Sequence, residues 1–239
     1  MSPSSKPSFS YEADTRRHYQ DDEIAQAYHA QFTTGLSPRK FKHVLVAKAE
    51  QRAVRRLLEG FGNTISTVAD IPCGTGKLLP VLHALPITFV GGDVSASMLR
   101  IARAGARAMG GSGRFVRLDI THLPFAAGQV DVVVCLRLLH RVPHEVKTAA
   151  LREMLRVSRR YAVVSYGVDT LWHALRQRAR GLVGGGSTIP YPLARAGLDD
   201  FFGTLGWEVL KRVSPLPVLS AEEIALLVKP SASDRSLHE

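Results

Sequence analysis

The chain has 239 residues, 45% hydrophobic and 22% charged, so it can bury one sizeable core, as a single domain or at most two small ones. Lys and Arg number 31 against 21 Asp and Glu, a formal charge of +10, which indicates an anionic partner or an arginine-rich compositional bias. The longest apolar runs fall short of the ~18 residues that span a bilayer, the N-terminus lacks the apolar stretch of a signal peptide, and two Cys exclude a disulfide framework and a Cys-based zinc site. We therefore expect a reducing, cytoplasmic setting.

The N-terminal quarter of the chain has no strand pattern. Residues 1–10 are rich in Ser and Pro, and we expect them, like residues 230–239, to form a disordered tail. Residues 11–63 are expected to form a helical cap, with helices over 21–32 and 41–58.

Residues 64–229 alternate short apolar runs with helical patterns, which is typical of a doubly wound α/β sheet. Strands are predicted over 65–71, 87–92, 114–118, 130–136, 161–166, 207–213 and 224–228, and helices over 77–84, 95–109, 144–157 and 198–205. Ser95 is expected to cap the helix over 95–109. The short link between the last two strands favours antiparallel pairing at one edge. We predict a seven-stranded, mostly parallel sheet with one antiparallel edge strand, helices on both faces and an N-terminal helical cap.

A glycine turn after the first strand carries the most specific signal. From Asp70 it reads Asp-Ile-Pro-Cys-Gly-Thr-Gly-Lys-Leu-Leu, and Gly74 and Gly76 let a ligand lie against the backbone. A P-loop does not fit, because Leu78 stands where the magnesium-binding hydroxyl is needed. A dinucleotide turn does not fit either, because Leu79 replaces its third glycine. The remaining class of such turns has an acid shortly before the glycines, as here.

The turn resembles motif I of the class I S-adenosylmethionine-dependent methyltransferases, acidic-x-Gly-x-Gly-x-Gly, with Pro72 in place of the first glycine, as in one branch of the family. Three later stretches are similar to further motifs of that family, in the same order. They are Asp93-Val94-Ser95-Ala96-Ser97-Met98-Leu99, then Leu123-Pro124-Phe125 with Val130-Asp131-Val132-Val133-Val134, then Leu138-Leu139-His140. The resemblance covers residues 66–166 closely and the rest loosely.

The resemblance implies S-adenosylmethionine as cofactor and S-adenosylhomocysteine as product. It implies that Asp70 orients the turn and receives the methionine amino group, that Asp93 accepts hydrogen bonds from the ribose diol, and that Asp119 accepts one from the adenine amino group. The predicted cofactor-binding residues are Asp70, Pro72, Cys73, Gly74, Gly76, Asp93, Val94, Met98, Asp119, Ile120 and Leu136.

These residues also have purely structural interpretations. Asp70 and Asp119 could cap turns, and Asp93 could be a solvated loop acid. Cys73 and Cys135 are expected to be small packing residues at the ends of neighbouring strands, without a disulfide. No metal site is predicted.

Methyl transfer from a sulfonium mainly requires an aligned acceptor and excluded water. A general base is needed only if the acceptor must lose a proton early. His140, expected at the mouth of the site, is the candidate base, with helix capping or packing as its alternative. The candidate acceptor-binding residues are Tyr19, Tyr28, Arg137, Tyr166 and Trp172, with a surface arginine and packing aromatics as the alternative.

Residues 168–195 are predicted to be a lid-like insertion, with apolar residues on one helical face, arginines off it and a Gly184-Gly185-Gly186 hinge. A membrane or partner helix and an ordinary surface helix are the alternatives. Neither Asp-Pro-Pro-Tyr nor Asn-Pro-Pro-Phe follows the fourth strand, which disfavours methylation of nucleic-acid bases.

The sequence therefore predicts a small-molecule methyltransferase, with O-methylation favoured, that acts by direct SN2 transfer on an anionic or apolar acceptor. An RNA methyltransferase, suggested by the +10 charge, is one alternative. A cofactor-binding scaffold without catalysis is the other.

Overall fold

The structure, a computed structural model, describes residues 21–33, 38–111, 113–168, 191–216 and 222–230. The helices are α1 (Asp22–Thr33), α2 (Pro38–Glu59), α3 (Leu79–Leu82), α4 (Ala96–Ala108), α5 (His144–Val157) and α6 (Leu198–Thr204). The strands are β1 (Thr67–Asp70), β2 (Thr88–Asp93), β3 (Arg114–Arg117), β4 (Val130–Cys135), β5 (Ser158–Gly167), β6 (Glu208–Val213) and β7 (Glu222–Val228).

The strands form one sheet in the order β3-β2-β1-β4-β5-β7-β6. The first five are parallel, and β7 pairs antiparallel with both β5 and β6. The predicted mostly parallel sheet with an antiparallel strand at one edge is thus confirmed. Within the edge pair, β7 is the antiparallel strand and lies one place in from β6. Strand order reverses between β1 and β4, and ligands bind at the carboxyl ends of strands at such a point.

Two apolar layers cover the sheet. All six residues of β4 are buried, and its last four alternate between the layers: Val132 and Val134 face one, Val133 and Cys135 the other. The first layer is closed by α2, α3 and α4, and the second by α5 and α6. The central strand therefore lies inside the core, and its carboxyl end is held rigidly.

Two helix starts show how local sequence sets the boundaries. Ser95 caps α4, because its Oγ accepts a hydrogen bond from the backbone N–H of Met98 at 3.1 Å, as predicted. The helix predicted over 77–84 is shorter, since α3 begins only at Leu79, with Pro80 in its first turn. Proline has no N–H and is tolerated only there, so the preceding residues form turns instead.

The predicted helical cap is formed by α1 and α2. Helix α2 packs on the sheet through Val54 and Leu58, while α1 contacts α2 and α4. Tyr19, Trp172 and nearly all of the predicted lid lie outside the described residues. Among the described helices, none is long and apolar enough to cross a membrane. Nor do the described ranges contain a cluster of three His, Cys, Asp or Glu that could hold a metal ion.

Candidate active site

The glycine turn that follows Asp70 leaves open space on one side and is tightly packed on the other. A Cβ added at Gly74, whose φ is +54°, would meet nothing within 4 Å. A Cβ at Gly76, at φ +83°, would lie 2.5 Å from Leu79 Cδ1 and 3.3 Å from Ala102 Cα. Gly76 therefore lets α4 approach the turn, while Gly74 borders a space that a ligand can occupy.

Asp93 joins the turn to the end of β2. Its Oδ2 accepts a hydrogen bond from the N–H of Gly74, and its Oδ1 accepts one from the N–H of Ser95, both at 2.9 Å. The side chain is buried, and burial raises its pKa to about 6 although these N–H groups favour the carboxylate. The position at the strand end agrees with the sequence, but Asp93 is not a solvated loop acid.

Asp70 is the second buried acid at this point. Burial, and then the nearby charge of Asp93, raise its pKa well above the usual value. Burial likewise raises the thiol pKa of Cys73 and Cys135, with Asp70 contributing to both; the two cysteines are buried free thiols. Two carboxyl groups so close together are suited to a ligand that brings a positive charge or hydrogen-bond donors.

Asp119 lies in a turn after β3. Its Oδ1 accepts hydrogen bonds from the N–H of Thr121 at 2.9 Å and from its hydroxyl at 2.8 Å. Asp119 therefore caps a turn, which was the alternative to a binding role. Its hydrogen bond with adenine stays a prediction. Of the other predicted cofactor residues, Met98 and Ile120 are buried, whereas Pro72, Val94 and Leu136 are half-buried.

A second polar group, here named the polar corner, lies beyond the carboxyl ends of β4 and β5. It comprises Glu50, Arg137, His140, Ser165 and Glu222. Arg137 Nη1 donates to Glu50 Oε1 at 2.8 Å, and the Arg137 backbone N–H donates to Ser165 Oγ at 2.7 Å. Ser165 in turn donates to Glu222 Oε1 at 2.6 Å. These bonds tie the loop after β4 to α2, β5 and β7.

The two carboxyl groups of the polar corner differ in charge. Burial, then the charge of Glu222, raise the pKa of Glu50 to about 7. Burial also opposes ionisation of Glu222, but Arg137 and His140 hold its pKa below the usual value. At neutral pH, Glu222 is therefore the ionised member, and Glu50 holds a proton for part of the time.

His140 is buried with 4% of its side chain exposed, whereas the sequence placed it at the mouth of the site. Its Nδ1 lies 3.8 Å from Glu222 Oε1 and, among the described residues, has no hydrogen-bond partner. Burial lowers its pKa to about 4, although Glu222 acts in the opposite direction. The ring is therefore neutral at physiological pH and has one nitrogen able to accept a proton.

Helix α1 contacts Lys77, which directly follows the glycine turn, and the first turns of α4. In its middle, the Tyr28 hydroxyl accepts a hydrogen bond from Lys77 Nζ at 2.9 Å, and Nζ lies 4.5 Å from the centre of the Tyr28 ring. At its start, the Asp22 carboxylate accepts hydrogen bonds from Ser97 Oγ and from Arg100. Of the candidate acceptor-binding residues, Tyr28 and Arg137 thus lie near the glycine turn or in the polar corner.

Tyr166 occupies a different environment. Its side chain is fully buried beside Phe202, with ring centres 5.8 Å apart, and its hydroxyl donates to Glu223 Oε2 at 3.3 Å. Burial, together with Glu223, raises its pKa to about 12. The structure therefore places Tyr166 in the core, where packing accounts for it.

Three residues of the polar corner were not predicted from the sequence: Glu50, Ser165 and Glu222. A signal existed for Glu50: it stands four residues before Val54 and seven before Leu57, so an acid lies on the apolar stripe of α2. Glu222 is the first of two adjacent acids that open the buried strand β7. A buried acid is rare unless it is paired, so both positions pointed to a polar cluster.

Known proteins similar to this chain include methyltransferases. Residues 68–160 match the family model of a methyltransferase domain. The chain is 26% identical to magnesium protoporphyrin IX methyltransferase of Arabidopsis thaliana, over 70% of this chain and 54% of that protein. It is 27% identical to magnesium-protoporphyrin O-methyltransferase of Synechocystis, over 60% of this chain and 64% of that protein. The chain thus spans less than two thirds of these relatives.

The fold is also similar to that of a solved magnesium protoporphyrin IX methyltransferase. The crystal structure of the Synechocystis magnesium protoporphyrin IX methyltransferase with bound S-adenosylhomocysteine (SAH) superposes with a TM-score of 0.78. The match covers 92% of this chain and 100% of that one, at 19% sequence identity. A likeness at that identity shows a shared fold.

Proposed function

Because the chain carries a class I S-adenosylmethionine-dependent methyltransferase domain, we propose that it transfers the methyl group of S-adenosylmethionine to an oxygen of a small-molecule acceptor. The observation that carries the proposal is the pair of buried acids, Asp70 and Asp93, beside the open side of the glycine turn at Gly74. The reaction belongs to a reducing, cytoplasmic setting, in keeping with the two free thiols.

The turn and its acids fit the cofactor. Asp70 would receive the amino group of its methionine part, and Asp93 the ribose hydroxyls, because both groups donate to carboxylates. The uncovered side of Gly74 leaves room for the ligand against the backbone. When bound, the cofactor supplies a methyl group activated by a positively charged sulfur. Helix α1, held by Tyr28 and Asp22, would exclude water from it.

The polar corner would receive the acceptor. Arg137 keeps its positive charge at this end of the sheet, because the carboxylates of Glu50 and Glu222 favour it against burial, and this charge suits an acceptor with anionic groups. His140 is neutral and is the candidate group to take a proton from the acceptor oxygen. The names of the two relatives make magnesium protoporphyrin IX the first acceptor to test.

Two measurements test the proposal. Titration calorimetry with SAH should show binding at a single site, and its absence would overturn the proposal. Methyl transfer from labelled S-adenosylmethionine should then be followed with magnesium protoporphyrin IX, a panel of phenols and carboxylic acids, and RNA. Transfer to a small molecule is the expected result. Transfer to RNA, with a steep dependence on salt concentration, would show that the protein methylates RNA and that the small-molecule proposal is wrong. Binding without transfer to any acceptor would indicate a scaffold.

A further inference from the structure

Glu222 lies at the centre of the polar corner. Its Oε1 accepts a hydrogen bond from Ser165 at 2.6 Å, and the same oxygen is 3.8 Å from Nδ1 of His140. Both Glu222 and His140 are buried, with 6% and 4% of their side chains exposed. A carboxylate therefore faces a buried imidazole nitrogen in surroundings that screen their interaction weakly.

A neutral imidazole has its proton on one nitrogen only. If the proton is on Nδ1, an N–H group points toward the carboxylate of Glu222. In the other tautomer the Nδ1 lone pair would face that negative charge, which is unfavourable in a medium of low dielectric constant. A distance of 3.8 Å is too long for a hydrogen bond, yet it is short enough for the charge to select the first tautomer.

The second link from Glu222 fixes the loop that leads to His140. Ser165 donates to Glu222 and accepts the backbone N–H of Arg137. Arg137 is the one non-glycine residue with positive φ, +60°, among the described residues, a conformation that costs energy for a residue with a Cβ. Its guanidinium is bound to Glu50 on α2. The backbone of Arg137 is therefore held by Ser165 of β5, which Glu222 of β7 positions, and its side chain is held by Glu50 of α2.

We propose that Glu222 is the positioning residue of this site: it keeps the proton of the neutral His140 ring on Nδ1, so that Nε2 has the lone pair that accepts the acceptor's proton. This role rests on the proposed function. The acceptor oxygen must then bear a proton, as a hydroxyl or an un-ionised carboxyl group does.

The step balances in atoms and electrons. The acceptor oxygen bonds to the methyl carbon, the methyl–sulfur bond breaks with its electron pair going to sulfur, and the O–H proton goes to Nε2 of His140. The imidazolium formed lies opposite the carboxylate of Glu222, which stabilises it.

The test is the tautomer of His140, read from ¹⁵N–¹H correlations of the histidine rings in the full chain at neutral pH, with His140→Gln identifying the signals. We expect the Nδ1–H form in the natural protein and its loss in Glu222→Gln, which keeps the size of the side chain but removes the charge. Glu222→Asp, which keeps the charge, should retain more of the Nδ1–H form than Glu222→Gln.

The neighbouring Glu223→Gln is the matched control, because Glu223 is a buried acid on the same strand that contacts Tyr166 and Arg195 instead. It should leave the His140 signals unchanged. Two results would overturn the role of Glu222. The first is an Nε2–H ring in the natural protein, and the second is an Nδ1–H ring that persists unchanged in Glu222→Gln. The natural protein alone can give the first of these results, even if a variant fails to fold.

SAH binding to the same samples separates this inference from the proposed function. Glu222→Gln should bind SAH within about twofold of the natural protein, because Glu222 lies outside the glycine turn. If the tautomer of His140 contradicts the prediction but SAH still binds, the role of Glu222 is wrong and the methyltransferase proposal is unaffected. If no sample binds SAH, the proposed function fails, whatever the tautomer. Once an acceptor is known, Glu222→Gln should lower kcat and leave the KM for S-adenosylmethionine unchanged.

Discussion

The backbone N–H of Gly74 donates to Asp93 Oδ2 at 2.9 Å, so a carboxylate at the end of β2 fastens the cofactor turn that follows β1. The other oxygen of Asp93 accepts from Ser95, the cap of α4. Asp93 thus holds together three elements while remaining available to a ligand. Its substitution should affect the shape of the turn and ligand binding together.

Asp93→Asn should lower the affinity for SAH by about 10- to 100-fold. An amide has one accepting oxygen, so one of the two N–H groups loses its partner, and a charge-assisted hydrogen bond contributes about 1.5–3 kcal/mol. Titration calorimetry measures the loss. Asp119→Asn is the comparison: its Oδ1 can still accept from Thr121, so we expect a smaller loss. Equal losses in the two variants would contradict this assignment.

Asp93 should also make ligand stabilisation depend on pH. Its pKa in the folded protein is raised from 3.8 to about 6, so it contributes stability that is full below about pH 4 and is lost as the pH rises through about 6. Donors from a bound ligand favour the carboxylate and reverse this loss. The rise in Tm caused by SAH should therefore grow from pH 5 to pH 7, as thermal unfolding with and without SAH would show. A rise that shrinks over this range would count against a role for Asp93 in binding.

The two glycines of the turn should respond differently to alanine. Gly76→Ala should destabilise the fold by about 1–3 kcal/mol, since its Cβ would overlap Leu79 and its φ is positive. Gly74→Ala should cost about 1 kcal/mol from its positive φ alone. It should nevertheless weaken SAH binding, because the new methyl enters the open side of the turn. Urea unfolding and calorimetry separate the two effects, and unchanged SAH affinity in Gly74→Ala would place the ligand elsewhere.

Helix α1 should slow the release of the cofactor. The double variant Asp22→Asn with Tyr28→Phe weakens its polar contacts with α4 and with Lys77. We expect faster hydrogen exchange in α1 and faster dissociation of SAH, measured by stopped-flow displacement. Glu59→Gln, which alters an exposed pair with Arg55 on α2, is the control and should change neither. If the dissociation rate stays the same in the double variant, α1 does not cover the cofactor.

Asp131 provides a prediction about stability away from the site. Its Oδ2 accepts four hydrogen bonds from the backbone and hydroxyl groups of Ser66 and Thr67, at 2.8–3.0 Å, near the amino ends of β1 and β4. Asp131→Ala should therefore lower the free energy of unfolding by about 1–3 kcal/mol, because partly buried donors lose a charged acceptor. SAH affinity should remain unchanged in calorimetry, since the glycine turn lies at the opposite end of β1.

The cofactor side of the site could be predicted from sequence because its parts are close together in the chain. Asp70, Gly74, Gly76 and Asp93 lie within 24 residues, and each marks a strand end or a turn whose geometry depends on local sequence. Ser95 was identified as a helix cap on the same basis. Such residues follow from spacing and backbone preference, before any tertiary contact is known.

The polar corner could not be predicted in this way. Glu50 and Arg137 are separated by 87 positions, and Ser165 and Glu222 by 57. Their pairing depends on the place of β7 between β5 and β6, while the sequence indicated only an antiparallel pair at an edge. His140 shows the same limit, because its burial results from neighbours that sequence spacing does not reveal.

The position of β7 one place in from the edge has a consequence for assembly. The cofactor turn is closed by contacts between residues that are near in sequence, whereas the contact of Glu222 with Ser165 joins residues 57 positions apart. Closing such a long loop costs more entropy and takes more time than closing a short one. During synthesis, therefore, a nascent chain has the parts for nucleoside recognition well before it has the carboxylate that orients His140, and competence for chemistry arrives with its last strand.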